Sequence, residues 1–245
     1  MKLLLIAVML FTSQAFAYDA KHFNPDLWPY IEERIFGVRT AVELPADNDE
    51  LTISGPKRAA SGAQVPITVK VNTDRFVKVY LIIDANPVQH AATFKLTDRS
   101  QNTEISTRIR METDSYVRVV GETAIGELFT HKTGIRASGG CSGYMDVHDP
   151  ALTSDLGKIL FKDKKGYKTT RIKHPMFTGL QKDLESGGYI PQWTIKTITW
   201  VDEEEYIVMQ ADTKISVSQD PYIKFKYSGD VKVIAEDTKG NIFKQ

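Results

Sequence analysis

Val65, Ile67, Val69 and Val71 alternate with Pro66, Thr68 and Lys70, and Val77, Val79, Leu81 and Ile83 repeat the spacing. A period of two predicts strands with one buried face. Ile105, Ile109 and Met111, then Val117 and Val119, continue it, while Asn86-Pro87 and Gly121 predict turns. Upstream the period differs. Leu27, Tyr30, Ile31 and Ile35 stand three and four apart after Asn24-Pro25-Asp26 and before Gly37, which predicts a short capped helix packed as an N-terminal lid.

A run of small residues, Ala137-Ser138-Gly139-Gly140-Cys141-Ser142-Gly143, interrupts the strands, and polar and turn-forming residues follow through Asp149-Pro150 to Asp155. Strand signals resume near Gly157 with Ile159 and Phe161. They return at Trp193 and Ile195, at 207–209, at Ile215 and Val217, at Ile223, Phe225 and Tyr227, and at Val231 and Val233. Short strands on both sides of one polar break predict an all-β chain of two immunoglobulin-like antiparallel sandwiches in tandem, after a short N-terminal helix. The expected boundaries are 18–40 for the helical segment, 41–143 for the first sandwich, 144–156 for a linker and 157–245 for the second. A single larger barrel is the competing architecture, disfavoured because the polar break falls where a domain boundary belongs.

The first residues change the compartment. Lys2, an apolar run from Leu3 to Phe11 and the triplet Ala15-Phe16-Ala17 predict a leader over 1–17, cleaved after Ala17 so that the mature chain starts at Tyr18. The run is shorter than the ~20 residues a helix needs to span a bilayer, and no Cys follows the cleavage site to accept a lipid. The chain has 245 residues, 42% of them hydrophobic and 25% charged, with 31 Lys+Arg against 31 Asp+Glu. That composition suits a folded globular protein, and the neutral balance without a basic run argues against nucleic acid as a partner.

Export matters most for sulfur. Cys141 is the only cysteine, so it cannot form an internal bridge in an oxidising compartment. Gly139, Gly140, Ser142 and Gly143 flank it, and so many small residues predict an exposed, mobile arm rather than a packed strand. A solvent-facing thiol on such an arm suits a covalent carrier better than a nucleophilic enzyme, which holds its thiol rigidly beside a base. The competing reading is a buried cysteine that fills a core gap. His131 and His148 are the nearest histidines, and neither spacing forms a catalytic pattern.

The stretch from Ile53-Ser54-Gly55-Pro56 through Gly139–Gly143 resembles SoxY of the Sox sulfur-carrier proteins, whose glycine-flanked cysteine carries sulfur intermediates covalently. From Gly157 onward the chain resembles SoxZ, through His174-Pro175-Met176-Phe177-Thr178-Gly179, Ile190-Pro191, and Ile215-Ser216-Val217-Ser218-Gln219-Asp220-Pro221-Tyr222 followed by Phe225. Two departures stand out. In the separate SoxY chain the cysteine lies at the extreme C-terminus, whereas Cys141 is internal, and Ser142 displaces the second glycine. The fused arrangement is similar to SoxYZ-like carriers associated with quinoprotein dehydrogenases. The resemblance implies a periplasmic, non-enzymatic carrier without cofactor, metal, membrane or nucleic-acid partner. Its implied partners are Sox-type redox and hydrolase enzymes or a quinoprotein dehydrogenase system.

Other groups read more plainly. Met145, His148, His174 and Met176 with Cys141 are the donor types of a soft copper site, which gives a second reading as a metal-binding accessory protein. His174 stands where a strand should end, as a turn residue or near the arm's exit. Asp202-Glu203-Glu204-Glu205 predicts a solvated hairpin turn, and Trp193 and Trp200 predict core aromatics.

Overall fold

The computed structural model describes residues 23–245, so the predicted leader over 1–17 and the residues up to 22 lie outside the described residues. A 3-10 turn, Pro25–Leu27, begins with the Asn24 side chain accepting a hydrogen bond from the Asp26 amide at 2.9 Å. Helix α1 (Trp28–Phe36) follows and stops at Gly37, whose N–H donates to the Glu33 carbonyl. Of the predicted inward face Ile31 is buried and Leu27 and Ile35 pack half-buried beside it, joined by Phe36, whereas Tyr30 points to solvent.

The first half then carries β1 (Ala41–Glu43), β2 (Leu51–Ser54), β3 (Val65–Val71), β4 (Phe76–Ile83), β5 (His90–Leu96), β6 (Glu104–Ile109), β7 (Ser115–Thr123) and β8 (Leu128–Ile135). After the small-residue run come β9 (Gly143–Met145), β10 (Ile159–Lys164), β11 (Tyr167–Ile172), β12 (Gln181–Asp183) and β13 (Ile195–Val201). The chain ends with β14 (Ile207–Thr213), β15 (Tyr222–Lys226), β16 (Lys232–Asp237) and β17 (Ile242–Lys244). In β3 the four predicted apolar positions are all buried, and Pro66 and Lys70 are exposed. The acidic run 202–205 forms the hairpin turn between β13 and β14, as expected.

Two signals read differently in space. Gly121 lies inside β7 rather than at a turn, because a Cβ there would meet the Phe76 ring at 2.7 Å. Glycine at this position makes room for a core aromatic. Ile215 and Val217 are not on a strand but on a turn that touches Ile109 through a single bridge. Their side chains are buried all the same, so apolarity reported burial and not conformation.

Each half is an immunoglobulin-like unit that supplies strands to two facing layers. One layer has nine strands in the order β1-β8-β7-β4-β5-β14-β13-β16-β17, and the other has six in the order β10-β11-β15-β6-β3-β2. The halves join edge to edge. β5 pairs antiparallel with β14 from Leu96↔Met209 to Ala92↔Thr213, and β6 pairs with β15 from Ile105↔Phe225 to Thr107↔Ile223. One apolar core, from Leu51 and Phe76 to Trp200 and Phe225, therefore runs across the seam. Pairing the inner edges removes four exposed strand edges that separate sandwiches would each have to protect. The helix covers the outer face of β4, β7 and β8 through Ile82, Val120 and Leu128. Among the described residues no helix is long and apolar enough to cross a membrane.

Candidate functional site

The loops after β6, β8, β11 and β14 meet at one end of the seam, and Cys141 lies among them. Its tip is pinned from both halves. Glu112, three residues past β6, accepts the Cys141 N–H at 2.8 Å and the Ser142 N–H at 3.2 Å, and it also takes the Ser142 hydroxyl. From the second half, Thr178 Oγ1 donates to the Cys141 carbonyl at 2.8 Å. Ser142 and Gly143 remain exposed, but Cys141 is 0% exposed.

The expectation of a solvent-facing thiol is thus corrected. The physical reason is what the small residues are for. The Gly139 and Gly140 amides donate to the Glu112 and Met111 carbonyls at 2.9 and 3.0 Å, so the segment lies directly on another backbone. A Cβ on Gly140 would collide with the Gly62 carbonyl and come within 2.7 Å of the Met111 oxygen. Glycine here permits close approach. Gly140→Ala is accordingly expected to cost about 1–3 kcal/mol, seen as a lower urea midpoint, because both obstructing groups are backbone. An unchanged midpoint would mean that the segment does not pack this way.

Burial also silences the sulfur. It pushes the Cys141 thiol up to about 12, with the Glu112 carboxylate adding to the rise and the Arg110 guanidinium opposing it. At neutral pH only about one part in 10⁵ is thiolate, against a few per cent for a free thiol. Arg110 is buried as well, which lowers it to about 10. Its Nη1 donates to the carbonyls of Met176, Ile215 and Val217 at 2.7, 3.3 and 3.2 Å, so one guanidinium ties together both loops of the second half. Asn86 holds this group in place. Its Nδ2 donates to the Arg110 carbonyl and Ser216 Oγ, and its Oδ1 accepts from the Glu112 amide at 3.0 Å.

His174 and Met176 are near the arm but belong to its seat. His174 Nδ1 accepts from the Met176 amide at 3.0 Å, and Met176 Sδ accepts from the Ile195 amide at 3.1 Å. Met176 itself sits at φ +50°, a left-handed conformation that aims its carbonyl at Arg110. Trp193 packs edge-on against His174 at 5.0 Å, half buried rather than central, whereas Trp200 is fully buried as expected. His148 stands in the open, 3.7 Å from Glu185. The donors proposed for copper therefore do not converge. His131 is engaged elsewhere, with Nδ1 accepting from the Ile53 amide at 3.3 Å.

The sequence pattern assigns no role in this site to Glu112, Arg110, Asn86 or Thr178, although Asn86 marks a turn and Thr178 lies within the SoxZ-like motif. A signal existed for one of them: Arg110 interrupts the apolar series Ile109-Arg110-Met111 at a strand end, where an unpaired charge is costly.

Comparison with known proteins bears directly on this arrangement. Residues 33–141 match the family described as sulfur oxidation protein SoxY, and residues 162–245 match the family described as sulphur oxidation protein SoxZ. The chain belongs to the SoxYZ-like sulfur carriers. The SoxY match ends on Cys141 itself, and the SoxZ match contains the whole seat from His174 to Gln181. A SoxY domain and a SoxZ domain, fused in tandem, thus face each other across the thiol. No curated protein matches the chain. Among solved structures, the sulfur carrier SoxY of Chlorobium limicola f. thiosulfatophilum is similar over 46% of this chain and 97% of its own, at 23% identity and a TM-score of 0.39. A Thermotoga maritima protein described as a candidate superoxide reductase is similar over 40% of this chain and 95% of its own, at 13% identity and a TM-score of 0.32.

Proposed function

We propose that this chain is a periplasmic, non-enzymatic carrier that holds sulfur-containing intermediates covalently on Cys141 and presents them to enzymes of sulfur oxidation. The observation that carries the reading is the place of the chain's one thiol: the last residue of the SoxY match, on a tip held by packing and hydrogen bonds, with no covalent cross-link. Noncovalent bonds can be exchanged. The leader pattern supports the compartment, and the seam supports a rigid body from which residues 139–142 swing. The unit boundaries are read as 41–143 and 157–245, with the segment between them long enough to let the tip leave its seat.

Loading by oxidative conjugation joins Sγ to the sulfur of an incoming thiol-type group. Two electrons and two protons leave, and a redox partner accepts the electrons. Chemistry begins only once the thiol is out of its seat, where its acidity returns to the ordinary range. The partners fitting this step are Sox-type redox and hydrolase enzymes, or a quinoprotein dehydrogenase system.

Intact-mass spectrometry of protein from its native periplasm tests the reading. Sulfur-type adducts on Cys141 that a reductant removes are expected, with complete loss in Cys141→Ser. Native protein that never carries an adduct under sulfur-oxidising growth would defeat the carrier function.

A further inference from the structure

Glu112 makes three of the four hydrogen bonds that hold Cys141 and Ser142 among the described residues, and the fourth is from Thr178. One carboxylate therefore takes two backbone amides and a hydroxyl from consecutive residues, and bonds to an ionised acceptor are about twice as strong as neutral ones. Its own backbone N–H donates to the Asn86 side chain, outside the arm, so the carboxylate is aimed rather than free to follow the arm. On either side of the tip, Gly139 at φ +66° and Gly143 at φ +120° have nothing within 4 Å of the Cβ position. The tip is thus tightly held between an uncrowded turn at Gly139 and the start of β9, where Gly143 pairs with Gln181 of β12.

We propose that Glu112 is a positioning residue that latches the arm shut over Cys141, and that opening the arm requires breaking the bonds of this one carboxylate. Closed, the latch keeps the thiol out of water and places a negative charge beside it; open, it removes both restraints together. The inference rests on the carrier reading for its purpose, but the latch is a property of the free chain and is measured without any cargo.

Cys141 is the only cysteine, so the rate at which N-ethylmaleimide labels the reduced, full-length protein reports this site alone. Glu112→Ala is expected to label at least tenfold faster than the parent. Glu112→Gln keeps an oxygen acceptor for the amides but loses the charge, and its rate is expected to fall between the two. Ile198→Val, a core change on β13 away from the arm, controls for general loss of stability and should leave the rate unchanged. Hydrogen exchange adds a local readout: the Cys141 and Ser142 amides should exchange faster in the Glu112 variants while the Ile105 amide on β6 does not. Wild-type labelling of folded Glu112→Ala, or an equal rise in Ile198→Val, overturns the latch. Should the alanine variant not fold, wild-type labelling of Glu112→Gln overturns it instead. Failure of the carrier reading looks different, as native protein without adducts whose Glu112 variants still label faster.

Discussion

Replacing Asp84 by alanine is expected to lower folding stability by about 3–5 kcal/mol, read from the urea midpoint. Asp84 at the end of β4 and Arg118 on β7 are both about 2% exposed, and the two carboxylate oxygens accept from Arg118 Nε at 3.0 and 2.8 Å. Burial pushes Asp84 up to about 6 although Arg118 pulls the other way, so desolvation is the larger effect on this pair. Removing the acid leaves the guanidinium with the Trp28 and Tyr116 rings, 4.4 and 5.7 Å away, and an Nη1 that already has no hydrogen-bond partner. Replacing both members, as in Asp84→Leu with Arg118→Met, should recover most of the loss, because a paired burial is close to break-even whereas a single buried charge is not. A loss below about 1 kcal/mol in the single variant would show that the pair is hydrated.

The same ion pair lies close in sequence to the surroundings of Cys141. Two residues beyond Asp84, Asn86 is the buried amide that holds both Arg110 and Glu112.

Much of the fold is legible because side-chain burial dictates it. β3 alternates as its sequence does, and the helix shows its spacing through Leu27, Ile31 and Ile35. The edge-to-edge joining of the halves is not legible, since β5 with β14 and β6 with β15 pair through backbone groups that every residue carries. The small-residue run around Cys141 is legible, but the environment of the thiol is not. A glycine-rich run looks the same whether glycine serves motion or close approach, and only the Gly62 and Met111 carbonyls beneath Gly140 decide between them. Glu112 was hidden for a similar reason, because its partners are mainly backbone amides 29 and 30 residues away.

Acidification from pH 6.5 to 4 is expected to cost about 3 kcal/mol through His174 alone. Burial lowers this imidazole to about 4, against an ordinary 6.5, even though Asp237 and Asp220 favour its charged form; Lys239 opposes them. Within that window the unfolded chain binds a proton that the folded chain does not, so stability rises with pH and levels off above 6.5. The geometry explains the preference. Nδ1 accepts the Met176 amide, which puts the single proton on Nε2, and that atom reaches no partner, with Asp237 Oδ2 3.7 Å away and already taking Trp193 Nε1 and Asn241 Nδ2. A second proton would have to sit on Nδ1 and break the Met176 bond, loosening the carbonyl that Arg110 holds beneath the arm. His174→Asn keeps an acceptor for that amide and cannot titrate. Urea midpoints between pH 7 and 4.5 should therefore fall distinctly less in His174→Asn than in the parent, while His90 and His131, also lowered by burial, leave part of the slope in both. Parallel pH profiles would show that His174 is not held neutral in the folded chain, and the seat of the thiol would then be independent of it.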